Sequence, residues 1–180
     1  MSEPVIERLD PRVAARAELA VLLRDAVAHG ASIGFMADPS EGEVEAFWTR
    51  VLGEAAAGSR CIWVARTRPG GPIVGSVQLG LESKANGRHR GEVQKLMVLF
   101  AERGTGLGAA LMRALEVEAI ARGLTLLVLD TSEGPGGAQK FYEKLAYTYC
   151  GGIPGYALDP DGSSRKNAIY CKVLEPRRAL

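Results

Sequence analysis

The sequence predicts a single α/β domain over residues 1–180, built around a mixed sheet. Three observations carry that expectation. Short apolar, β-branched runs alternate with amphipathic helical stretches in the order β-α-α-β-β-β-α-β-α-β-β. One strand runs through a basic, glycine-rich turn straight into a helix. The chain's 180 residues suffice for one sizeable core and not comfortably for two.

Residues 4–10 read as a first strand, although Val5, Ile6 and Leu9 do not alternate cleanly. Residues 12–29 read as a helix: Ala15, Leu19, Leu22, Leu23, Ala26 and Val27 share one stripe, and Gly30 is a natural stop. Residues 34–39 are a loop. A second helix starts at Ser40, which forms an S-x-x-E capping box with Glu43, and runs to about Ala57 ahead of Gly58. Residues 61–67 and 73–82 flank Pro69-Gly70-Gly71-Pro72 and make an antiparallel hairpin. A polar loop at 85–88 precedes a strand over 91–99 and a helix over 106–122, with Leu107, Leu111 and Leu115 at i+4 steps. Residues 124–130 are a nearly unbroken apolar run, which suits a strand buried on both faces. A short helix over 137–145 and strands over 147–151 and 167–173 complete the order.

Composition narrows the function. The hydrophobic share of 47% and charged share of 24% are ordinary for a soluble globular chain. A net charge of +1 gives no bulk attraction to nucleic acid or an anionic membrane, and no apolar run reaches the length of a membrane span. The start, Met1-Ser2-Glu3-Pro4, lacks a basic segment followed by an apolar one, so no signal peptide is expected and the cytoplasm is the expected location. Cys61, Cys150 and Cys171 show no CxxC spacing and read as small buried hydrophobes in a reducing compartment. His29 and His89 stand alone, so no metal site is expected.

Residues 96–108 carry the chemistry. A helix N-terminus offers unpaired N–H groups and positive partial charge, glycines let an anion come close, and Arg103 adds a full charge. A plain turn needing positive φ explains one glycine, not three alternating behind an arginine, so the pattern points to a phosphate or pyrophosphate. A Walker loop ends in Gly-Lys-Ser/Thr, whereas this turn continues Gly108-Ala109-Ala110. Gly104-x-Gly106-x-x-Ala109 does satisfy a dinucleotide fingerprint, with Asp130 about where a ribose-binding acid belongs, so an NAD(P)-dependent oxidoreductase is the rival. Against it, residues 100–103 separate the strand from the first glycine, and the motif follows an α-α pair and a hairpin.

Arg103-x-x-Gly106-x-Gly108 resembles the R/Q-x-x-G-x-G/A pyrophosphate motif of the GNAT superfamily of N-acetyltransferases, and the element order is similar to that fold over the whole chain. GASIGFMAD at 30–38, EVQKLMVL at 92–99, PGY at 154–156 with PDG at 160–162, and AIY at 168–170 resemble its tabtoxin resistance type. The resemblance implies a GNAT fold, with a mixed, mostly antiparallel seven-stranded sheet flanked by about four helices. It implies acetyl-CoA as cosubstrate, and transfer of the acetyl group to a small-molecule amine, such as an amino-acid-like toxin or antibiotic, by direct attack in a ternary complex. It also implies a homodimer.

Carried onto this chain, the resemblance places the splayed strand at 91–99, with Met97, Val98 and Leu99 offering backbone groups near the thioester. The N–H groups of Arg103, Gly104, Thr105, Gly106, Leu107, Gly108 and Ala109 would cradle the pyrophosphate, and Phe141 and Lys144 would add coenzyme contacts, though a lone lysine also fits a solvated role. Glu92 matches a position where a general base is often carried, and Asp130 could orient or deprotonate the amine; a strand-end glutamate and a turn aspartate explain them equally. Tyr142, in a segment resembling A-x-x-x-Y-x-x-x-G-F, would be general acid to the sulfur, with Phe141 and Leu145 facing the core and Tyr142 pointing elsewhere. The acceptor would be walled by residues 33–38 and 153–164, with Phe35, Met36, Asp38 and Tyr156 in contact and Asp159 and Asp161 able to meet an amine. The chain departs from the pattern at Phe100, where proline is common, at Ala146, where glycine is usual, and at residues 133–137, which lack the usual asparagine. A non-catalytic acetyl-CoA-binding module stands as a third reading.

Overall fold

The computed structural model describes residues 4–13, 15–133 and 138–175. β1 (Val5–Arg8) leads into α1 (Arg16–Ala28) and α2 (Glu41–Ala56); β2 (Arg60–Arg66), β3 (Ile73–Leu81) and β4 (Arg90–Val98) follow. Then come α3 (Leu107–Ala121), β5 (Leu126–Ser132), α4 (Gln139–Lys144), β6 (Thr148–Gly151), β7 (Ala157–Leu158), β8 (Ser164–Arg165) and β9 (Asn167–Val173). Seven strands form one sheet in the order β1-β2-β3-β4-β5-β9-β6. Its pairs are antiparallel except β4 with β5, which run parallel. This is the mixed, mostly antiparallel sheet with four helices expected from the sequence.

Local chemistry explains the element ends. Ser40 and Glu43 close the capping box, Ser40 N–H donating to Glu43 Oε2 (2.9 Å) and Glu43 N–H to Ser40 Oγ (3.3 Å). Helix α1 starts later than its apolar stripe suggests, because the Asp10 carboxylate captures the Arg12 N–H at 3.0 Å and holds a turn there. In β2 the side chains obey a period of two: Cys61, Trp63 and Ala65 pack with α3, while Ile62 and Val64 pack with α1 and α2. The central sheet is therefore buried on both faces.

Strand β5 departs from expectation. Leu127 and Leu129 are buried against α3, but Leu126 and Val128 are half-buried and Asp130 is exposed. One face is closed, because α1 and α2 cover β2 to β4 and leave the outer face of β5 open. The strand also runs to Ser132, so Asp130 lies inside it rather than at its end. The cysteines differ too: Cys61 is buried, Cys150 is exposed, and Cys171 is half-buried with its sulfur 2.9 Å from that of Cys150. Residues 153–164, expected from the sequence only to wall the acceptor pocket, carry β7 and lead into β8, the hairpin closing where Gly162 N–H donates to the Asp159 carbonyl at 2.8 Å. No described helix is long and apolar enough to cross a membrane.

Candidate active site

The β4–β5 ladder pairs Arg90 with Leu126, Gly91 with Leu127 and Glu92 with Val128, and goes no further. Beyond that point a cleft of about 1440 Å³ opens between the two strands and the loops above them. Leu99 N–H donates to the Val74 carbonyl (2.9 Å), and Met97 faces Ser76 in the same phase of the β3–β4 ladder. Antiparallel pairing alternates the direction of backbone groups, so Val98 turns its N–H and C=O away from β3, toward the open side. Of the three residues expected to offer backbone groups, Val98 meets that geometry, Met97 lines the cleft with its backbone directed to β3, and Leu99 is committed to β3 and lies off the cleft.

The chain leaves β4 through a 3-10 turn at Phe100–Glu102 and enters α3 at Leu107. Phe100 stands where a proline would have no N–H to satisfy; here that N–H donates to Asp25 Oδ2 at 2.8 Å, and the ring stacks on His29 at 4.0 Å. Gly104 (φ 81°) and Gly106 (φ 90°) sit in the left-handed region with open space where a Cβ would be, so backbone conformation and not crowding requires glycine. Gly106 caps α3 with no side-chain partner, which leaves the first-turn N–H groups of Leu107, Gly108 and Ala109 unpaired among the described residues. A Cβ on Gly108 would stand 3.4 Å from the Phe141 ring, so Phe141 closes over that first turn. Arg103 lines the cleft beside these groups; Thr105 does not, its hydroxyl bonding back to the Glu102 carbonyl at 2.7 Å.

Three polar candidates meet at the cleft. Val93 packs on the α3 side, so Glu92 points to the opposite face of the sheet, the face to which Asp130 also projects. Since Glu92 pairs with Val128, Asp130 is its diagonal neighbour one pleat along. Both are exposed, and among the described residues neither carboxylate has a hydrogen-bond or ion-pair partner. Tyr142 does not point away from the core as the sequence pattern suggests. It is 7% exposed, with Tyr147 and Tyr170 near its ring, while Phe141 and Leu145 are half-buried around it. A helix of six residues gives too little periodicity to assign one inward face. Burial pushes the Tyr142 phenol well above its usual range, and the charge of Asp130 adds to that.

Lys95 also lines the cleft, a residue that the sequence pattern does not single out. The β3–β4 register shifts between Ser76 and Gln78, so β4 carries one extra residue there, and Lys95 holds φ 50°. The bulge flips the strand: Val93 packs with α3, yet Met97 packs with α1 and α2. The Lys95 ammonium lies 3.6 Å from where a Cβ on Gly34 would stand, in the α1–α2 loop. Burial pulls its pKa below the usual lysine value; Asp130 and Glu92 counter that shift, and Arg60 and Arg50 reinforce it. The adjacent polar pair Gln94-Lys95, which interrupts strand alternation, is the signal that could have revealed it.

At the other end, the α1–α2 loop is tied to the β7–β8 hairpin by Ala37 N–H donating to the Pro160 carbonyl at 3.0 Å. Phe35, Asp38 and Tyr156 line the cleft there; Met36 is 50% exposed and lies off it. Asp159 and Asp161 are engaged, the first by Arg165 and the second by Ser163 at 2.9 Å. Lys144 is exposed and also lies off the cleft. Residues 134–137, part of the glycine-rich segment noted above, lie outside the described residues, as does the expected start of the helix there.

A model of the acetyltransferase (GNAT) family matches residues 24–147. Among curated relatives, glucosamine 6-phosphate N-acetyltransferase of Trypanosoma brucei brucei is 37% identical over 82 residues, 44% of this chain and 54% of that protein. The chain thus spans about half the length of that curated relative. An N-acetyltransferase from Staphylococcus aureus Mu50 superposes with a TM-score of 0.79 at 18% identity, over 97% of this chain and 100% of that one. The structure of yncA from Salmonella typhimurium with its cofactor acetyl-CoA gives 0.78 at 19% identity, over 99% and 98%. At these identities the likeness is one of fold.

Proposed function

This chain belongs to the acetyltransferase (GNAT) family, and we propose that it is an acetyl-CoA-dependent N-acetyltransferase acting on a small-molecule amine by direct attack in a ternary complex. The observation that carries this reading is the parting of β4 from β5 where it leads to an uncapped, glycine-led helix N-terminus. Such a slot fits a long acyl-pantetheine arm, and the helix end fits its pyrophosphate. Family membership tells against the dinucleotide reading. The meeting of Glu92, Asp130 and Tyr142 at the same cleft supports an enzyme over a binding module.

In this reading the N–H groups from Gly104 to Ala109, with Arg103, hold the pyrophosphate, and Phe141 packs beside them. Val98 offers backbone hydrogen bonds to the arm, and an N–H on that side meets the charge developing on the acetyl oxygen. The acceptor ammonium gives its proton to Glu92 or Asp130, both unpaired and open to solvent, directly or through water. Tyr142 donates a hydrogen bond to the departing sulfur. A thiol's reference pKa of ~8.5 lies below that of the buried phenol, so Tyr142 keeps most of its proton, and the sulfur's final proton is the one the carboxylate took from the amine. The acceptor rests among Phe35, Asp38 and Tyr156. On the tabtoxin resistance resemblance it is an amino-acid-like toxin or antibiotic, acted on in the cytoplasm by a homodimer. The test is release of free coenzyme A thiol from acetyl-CoA across a panel of small amines. Amine-dependent release supports the reading; acetyl-CoA binding with no release from any amine favours the non-catalytic module.

A further inference from the structure

Lys95 is a cation with no counter-ion at contact among the described residues. Among the described residues its ammonium makes no hydrogen bond and no ion pair. It is held in place by a left-handed backbone conformation that a non-glycine residue rarely adopts, in the β4 bulge where Lys95 and Leu96 stand against Val77 alone. Strain of this kind persists where the surrounding structure fixes it and is a pointer to function.

Its neighbours repeat the pattern. Arg60, 11% exposed, donates to the carboxamide oxygens of both Gln78 (2.8 Å) and Gln94. Each amide is thereby oriented with its oxygen toward the arginine and its NH2 away. Gln78 is fully buried, lines the cleft, and its Nε2 has no partner among the described residues. A buried, unpaired donor is destabilising unless something pairs with it. Arg50 and Arg60 both line the cleft and share one carboxylate, that of Glu54. With Lys95 they make three cations, of which only the two arginines hold a carboxylate at contact among the described residues; Glu92 and Asp130 are the other acids acting on Lys95. A half-buried lysine with no contact partner among the described residues, beside two oriented amides on one cleft, makes a receptor for an anion. Glu92 and Asp130, on the same cleft, suit the ammonium of the same molecule.

We propose that Lys95, with the carboxamides of Gln78 and Gln94 set by Arg60, forms an anion-reading subsite at the acceptor end of the cleft, and that the acceptor is an amine that also carries a carboxylate or a phosphate. The proposal rests on the N-acetyltransferase reading for its place in the reaction, but the subsite is testable without it.

Two arms separate the cases. In the first, ¹⁵N-labelled protein is titrated with sodium acetate and with inorganic phosphate at constant ionic strength, following the amides of Gly34 and Lys95. The expected result is a saturable shift with one anion, absent in Lys95→Met and kept in Lys95→Arg; whichever anion binds more tightly identifies the source. Absence of a shift with both anions overturns the subsite. In the second arm, coenzyme A release is measured with glycine against glycinamide and with glucosamine 6-phosphate against glucosamine. The anionic member of one pair is expected to lead by about 10- to 100-fold in kcat/KM, the worth of a hydrogen bond to a charged group, and Lys95→Met should erase the lead through KM. Turnover without any anion preference overturns the subsite and leaves the enzyme reading intact. Anion shifts without turnover of any amine do the reverse.

Discussion

Gly106 is the residue at which fold and proposed function can be separated most cleanly. Its φ is 90° and no atom lies within 4 Å of a Cβ built on it. Gly106→Ala therefore creates no collision; its whole cost is conformational, about 1–2 kcal/mol for placing an L-residue in the left-handed region. For a chain of 180 residues that corresponds to a melting temperature lower by roughly 2–8 °C. The strain relaxes by turning φ negative, which swings the first-turn N–H groups of α3 out of line. Losing one or two hydrogen bonds to a charged pyrophosphate, at about 1.5–3 kcal/mol each, should weaken acetyl-CoA at least about 10-fold. Calorimetric titration and thermal unfolding measure both effects on one preparation. Gly108→Ala is the contrast: Gly108 has no positive φ, and its new methyl meets the edge of Phe141 at 3.4 Å and, in ordinary contact, a Val98 methyl at 4.0 Å. It should leave the melting temperature nearly unchanged and disturb binding only through that ring. A Gly106→Ala protein that unfolds and binds acetyl-CoA as the parent does would refute the argument that backbone conformation builds the anion site.

Other outcomes follow from the same geometry. Tyr142→Phe should reduce turnover by about 10- to 100-fold, the worth of a hydrogen bond to a charged sulfur, with unchanged acetyl-CoA affinity; its melting temperature should stay close, since the hydroxyl makes no hydrogen bond among the described residues, and an unaltered kcat would remove Tyr142 from the chemistry. Lys95 gives a pH signature. Its folded pKa lies below the 10.5 of an ordinary lysine, so between that lowered value and 10.5 the unfolded chain binds more protons and stability rises with pH. Below that window the full cost of burying the charge among Arg60, Arg50, Glu92 and Asp130 is present. Lys95→Met should thus be more stable than the parent at neutral pH, with the gain shrinking toward pH 10.5; denaturant melts across pH would show a constant or inverted difference if burial does not oppose the charge. Ala146 holds φ 62° after α4, so Ala146→Gly should stabilise by about 1 kcal/mol, read as a higher denaturant midpoint; a lower one would mean that this turn is unstrained.

What the sequence made legible was what local chemistry determines. The Ser40–Glu43 box, the hairpin around residues 69–72 and the glycine turn at 104–108 announce themselves because their signals lie within a few residues of the structure they cause. Pairing information was harder to read. Lys95 becomes visible only once β3 opposes β4 and one residue has no partner. The face of β5 that carries Asp130 depends on where α1 and α2 stop covering the sheet, which an apolar run cannot reveal. Tyr142 was misdirected because Phe141 and Leu145, four apart, suggest an inward stripe, whereas α4 is short enough for all three side chains to reach the core. Lys144 had only its charge and its neighbourhood to recommend it.

The measurement that bears most directly on the account is calorimetric titration of the purified protein with acetyl-CoA and, in parallel, with NAD(H). The slot beside β4 and the uncapped start of α3 predict saturable binding of one acetyl-CoA per chain and no heat with the dinucleotide. Saturable NAD(H) binding with none of acetyl-CoA would mean that the glycine turn serves a different ligand, and the roles given to Glu92, Asp130 and Tyr142 would fall with it.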